Sequence, residues 1–61
     1  MTRLQEYMKK HGWSRSMLSR ATGIKLSTIS ALCDGRRGGR MSTYREMARV
    51  MMCKVSDLVE D

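Results

Sequence analysis

The sequence predicts an all-α fold: five short helices in a compact stack, forming one domain over residues 1–61. Two observations carry that expectation. Apolar side chains return every three or four positions along most of the chain, the period of a helix that buries one face. No stretch of four or more residues alternates strictly with β-branched residues, and no Asn-Gly or Asp-Gly joins two such stretches, so strands lack their signals.

The elements follow in order. Thr2 with Gln5 three residues on forms a capping box, and Leu4, Tyr7, Met8 and His11 then mark one face, predicting a helix over 3–11 that Gly12 stops. Ser14 is placed to cap a second helix with Met17, Leu18 and Ala21 on its inner side, ended by Gly23 as a left-handed stop. Ile24, Ile29 and Leu32 give a third helix its buried face. Lys25, Leu26, Ser27, Ser30 and Ala31 are left outside. Asp34-Gly35 ends it, and Arg36-Arg37-Gly38-Gly39-Arg40 reads as a flexible basic loop. Thr43-x-x-Glu46 forms a second capping box before a fourth helix striped by Tyr44, Met47, Ala48 and Met51, and a last turn or two runs from about Val55 to Val59.

The stretch from Gly12 to Arg37 has the layout of a helix-turn-helix. Two helices crossing through a tight turn need a small side chain at the contact, here Ser19, and a residue that accepts positive φ at the corner, here Gly23.

Composition points the same way. A chain of 61 residues hides only about 60% of the surface its unfolded form exposes, so it builds a single small core and gains from a partner subunit. The net charge is +6, and residues 1–40 hold nine basic against two acidic side chains while residues 41–61 hold three against four. The positive charge belongs to one half, which favours an anionic partner. No apolar run nears the roughly 20 residues that span a bilayer, and the opening MTRLQEYMKK lacks a secretory apolar stretch, so a cytoplasmic protein is expected. Cys33 and Cys53 make neither a disulfide framework nor a zinc set with the single His11, and free thiols are expected.

At these residues the chain resembles the Cro and phage-repressor type of helix-turn-helix proteins, the Xre family. Gly12, Trp13, Ser14, Leu18, Gly23, Ile24, the run Ser27-Thr28-Ile29-Ser30, Leu32, Gly35 and Arg36-Arg37 fall where that family has its pattern. The resemblance implies a lambda-repressor-like domain with residues 25–34 as the recognition helix in the major groove of double-stranded DNA. By the same resemblance Lys25, Leu26, Ser27, Ser30 and Ala31 read bases, while Ser14, Arg15, Thr28, Arg36, Arg37 and Arg40 hold the DNA backbone. Lys25 suits guanine, the serines either base type, and Leu26 or Ala31 a thymine methyl. The family often has Gln at the position of Arg15, Asn at Asp34, an apolar residue at Thr22 and glycine at Met52. Asp34 is left outside the contacts, because a carboxylate cannot donate to a phosphate. The family's cap before the fourth helix falls at Arg40, whereas capping chemistry favours Ser42 or Thr43.

Other features have plainer readings. Trp13 is expected in the core, and His11 at a helix end. Met8, Met17, Met47 and Met51 fall on inward stripes in a chain without phenylalanine. Val50, Met52, Cys53, Val55 and Val59 form an apolar set beside the fourth helix's inner stripe, which reads as a homodimer interface that would present two recognition helices to a palindromic operator. A repressor is the leading expectation, with a toxin-neutralising antitoxin or a restriction-modification controller as the alternatives. No metal, cofactor or small-molecule ligand is implied. No enzymatic activity is expected, since no carboxylate pair, nucleophile set or phosphate-binding glycine loop is present.

Overall fold

Thr2 caps the first helix as its spacing predicts: the threonine hydroxyl accepts the Gln5 amide at 3.1 Å, and α1 runs over Arg3–Lys10. These positions come from a computed structural model of the chain, which describes residues 2–59. Leu4 and Met8 are buried, and His11 is the C-cap, its ring 4.2 Å from that of Tyr7. Ser14 caps α2 (Arg15–Thr22) by accepting the Met17 amide at 3.1 Å. α3 spans Leu26–Cys33 and α4 spans Met41–Met51.

α2 packs against both α3 and α4, and α1 lies across α3 and the C-terminal turn. The core is Leu4, Met8, Leu18, Ile29, Leu32, Cys33, Met47, Ala48, Met51 and Leu58, with Trp13 half-buried against it. At about 25 cal/mol per Å² of apolar surface removed from water, each of these larger side chains contributes roughly 1.5–3 kcal/mol, and none can be spared in so small a core.

Four expectations need correction. The fifth helix is a single 3-10 turn over Val55–Asp57, so the described residues hold four α-helices. The Asp57 carboxylate accepts the Lys54 amide at 3.0 Å and closes the turn, and Arg3 Nη1 donates to the Ser56 carbonyl at 2.9 Å, occupying the acceptor that a longer helix would use. α4 starts earlier than its capping box, with Arg40 as N-cap and no side-chain cap, so Thr43 lies inside the helix and Glu46 pairs with Arg49. Met17 is 49% exposed and Ala21 is exposed, because the elements packed on α2 cover only the strip of it around Leu18. The basic loop is pinned at one point. A Cβ on Gly39 would lie 2.8 Å from Tyr44 Cε2 and 3.0 Å from Leu32 Cδ2, so glycine there permits a close backbone approach.

Candidate nucleic-acid interface

The corner between α2 and α3 fixes how α3 is presented. Gly23 adopts φ +77°, and its amide donates to the Ser19 carbonyl at 2.8 Å. The Ser19 hydroxyl donates across the corner to the Ile24 carbonyl at 2.6 Å. Thr22, where an apolar residue is usual in the resembled family, donates to the Leu18 carbonyl at 2.7 Å and accepts the Ile24 amide at 3.2 Å. The hydroxyl therefore satisfies the Ile24 amide, which the turn would otherwise leave open, and adds a second bond at the Leu18 carbonyl, already bonded within α2.

Beyond this corner, Ile29, Leu32 and Cys33 turn inward and set the buried side of α3. At 100° per residue, Ser27, Ser30 and Ala31 fall on the opposite side, with Leu26 and Thr28 at its two margins. Ser27 and Lys25 are exposed, Leu26 is 46% exposed, and Thr28, Ser30 and Ala31 are half-buried. The outward side thus carries short polar or small groups between a lysine and a leucine, and a groove wall can approach its backbone closely.

Two cations meet at the C-terminal end of α3. Ser14 is exposed at the start of α2, and its oxygen accepts the Met17 amide while its own O–H stays available to a further acceptor. Arg15 is held by two neighbours: its Nη2 donates to Gln5 Oε1 at 3.1 Å and to Asp34 Oδ1 at 2.8 Å. Asp34 Oδ2 also lies 3.5 Å from Arg36 Nη2. The hydrogen bond from Arg15, with the charges of both arginines, holds the Asp34 carboxyl below its ordinary range, and the same bond pushes the Arg15 guanidinium up. Arg37 lines a hollow with Thr2, Arg3, Tyr44 and Leu58. Arg37, Arg40 and Lys25 make no ion pair among the described residues.

The structure brings together Arg15 and Arg36, which lie apart in sequence, through Asp34, and seats Arg15 on Gln5 as well; neither Gln5 nor Asp34 is a site residue by its sequence pattern. A signal existed for Asp34: it is the only acid between Gly12 and Arg45, and it sits two positions before Arg36. The set Val50, Met52, Cys53, Val55 and Val59 divides. Met52 is 91% exposed, whereas the other four are half-buried against the core. Cys33 and Cys53 are free thiols, and burial pushes both up, away from reactive thiolate.

A family model described as the Cro/C1-type HTH DNA-binding domain matches residues 3–61. The chain belongs to this family. Its helix-turn-helix is α2, the Gly23 corner and α3, and its ligand is double-stranded DNA. Comparison with curated proteins and with solved structures gives no match. Among the described residues, no helix of this Cro/C1-type domain is long and apolar enough to cross a membrane.

Proposed function

We propose that this Cro/C1-type domain is a sequence-specific transcriptional regulator of the Cro-like repressor kind, which binds a palindromic operator as a homodimer. The observation that carries the reading is the side of α3 opposite the core, where Ser27, Ser30 and Ala31 lie with Lys25 and Leu26, and at whose C-terminal end Asp34 gathers Arg15 and Arg36. α3 enters the major groove with Lys25, Leu26, Ser27, Ser30 and Ala31 toward base edges. Ser14, Arg15, Thr28, Arg36, Arg37 and Arg40 hold phosphates on either side. None of the base-facing groups offers the bidentate fork of Arg, Asn or Gln, so discrimination leans on DNA shape as well as on direct contact.

The size of the domain favours two copies. Its longest dimension is 27 Å, shorter than the roughly 34 Å between successive major grooves on one face of the duplex. Reading two grooves therefore takes a pair. Met52, with the open edges of Val50, Cys53, Val55 and Val59, supplies an apolar contact in the segment whose charge is nearly balanced, where two copies meet without strong repulsion.

Selection of bound fragments from random duplexes tests the reading. The expected outcome is an inverted repeat with half-sites about one helical turn apart; enrichment of no sequence, or of single half-sites only, opposes it. Replacing Arg36 and Arg37 together by Ala lowers affinity on all sequences alike and reduces the log-log salt slope by about 0.9 for each phosphate that is no longer neutralised.

A further inference from the structure

Arg15 is tied in a way that limits how it can grip DNA. A guanidinium offers two edges for a paired grip on a phosphate, Nη1 with Nη2 and Nε with Nη2, so both edges use Nη2. In this domain the two hydrogens of Arg15 Nη2 are committed, one to Gln5 Oε1 at 3.1 Å and one to Asp34 Oδ1 at 2.8 Å. The second oxygen of the same carboxylate faces Arg36 Nη2 at 3.5 Å. One carboxylate therefore bridges two guanidiniums with its two oxygens, as a phosphate would. Asp34 is also the C-cap of α3, beside carbonyl groups that repel a negative charge, so its place there depends on those two cations.

We propose that Asp34 is an internal stand-in for a DNA phosphate, and that binding exchanges its carboxylate for a backbone phosphate at Arg15 and Arg36. The inference rests on the reading of this face as the DNA-binding one. The exchange lowers affinity for any duplex, because a bound phosphate must displace, and then sit near, a fixed negative charge. Arg15 and Arg36 with Asp34 present one net positive charge rather than two. Backbone attraction is thereby reduced without touching the base-facing side of α3, and Arg37 and Arg40 carry more of the unopposed grip.

Fluorescence anisotropy with a short mixed-sequence duplex across a salt series tests this. Asp34→Asn keeps an oxygen for Arg15 and removes the charge, so it should bind about two- to fivefold tighter at low salt, the scale of one exposed ion pair. Its salt slope should steepen by about 0.9, one further phosphate neutralised. Asp34→Glu should stay close to the parent. In the parent, Arg15→Gln should cost less affinity than Arg37→Ala; in the Asp34→Asn background, Arg15→Gln should cost more than it does in the parent. A folded Asp34→Asn that binds no tighter than the parent overturns the proposal, as does an Arg15→Gln loss in the parent equal to that of Arg37→Ala. If Asp34→Asn does not fold, the comparison of Arg15→Gln with Arg37→Ala decides alone. A parent that binds no duplex at low salt defeats the DNA-binding reading and this proposal with it, whereas a binding parent beside an unchanged Asp34→Asn defeats the proposal only.

Discussion

Two helices of this domain end on a left-handed residue, and they do so differently. α2 ends on Gly23 at φ +77°, where no Cβ resists the conformation, and the hydroxyls of Ser19 and Thr22 bond the backbone on both sides of the corner. α4 ends on Met52 at φ +56°, the only non-glycine residue at positive φ among the described residues, with a side chain 91% exposed. The first corner sets the angle between α2 and α3 and is fixed by several bonds without strain. The second leads only to the C-terminal turn, and there the chain keeps a strained residue whose side chain does nothing for the core.

Substitutions at the two corners should therefore differ in sign. The largest effect is expected for Gly23→Val, which forces a β-branched residue into the left-handed region and should cost at least about 1–2 kcal/mol by denaturant titration, with weaker DNA binding as α3 shifts. Ser19→Ala should cost about 0.5–1.5 kcal/mol, because the Ile24 carbonyl loses its donor across the corner. Met52→Gly should instead stabilise the monomer by about 0.5–1 kcal/mol, since glycine adopts the same φ freely. If Met52 also seats against a second copy, that gain appears at low protein concentration and fades as the concentration rises. A loss of stability at low concentration would show that Met52 carries no strain.

The same two corners separate what the sequence reveals from what it hides. Gly23, Ser14 and Thr2 announce their roles because a cap or a left-handed corner needs few residues and a fixed spacing, and all three act as that spacing requires. Thr43 with Glu46 has the same spacing and misleads. Just before the start of α4, Gly39 sits close against Leu32 and Tyr44, and a four-residue pattern carries no record of that contact. Met17 and Ala21 fit an inward stripe by period, but burial depends on how much of a short helix its neighbours cover. Which residues of α3 face away from the core was legible as a set of positions. The electrostatic state around them was not, because the bonds from Arg15 to Gln5 and Asp34 join three segments across separations of 10 and 19 residues.

If the side of α3 opposite the core is the surface that meets DNA, backbone amide NMR shifts should report it as a duplex enriched by selection is added at low and moderate salt. The largest changes are expected at Lys25, Leu26, Ser27, Ser30 and Ala31, with smaller ones at Ser14, Arg15 and Arg36 to Arg40, and little at the core-facing Ile29. Changes centred on α1 or on the C-terminal turn, with Ser27 and Ser30 unmoved, would place the DNA on another face and refute this one.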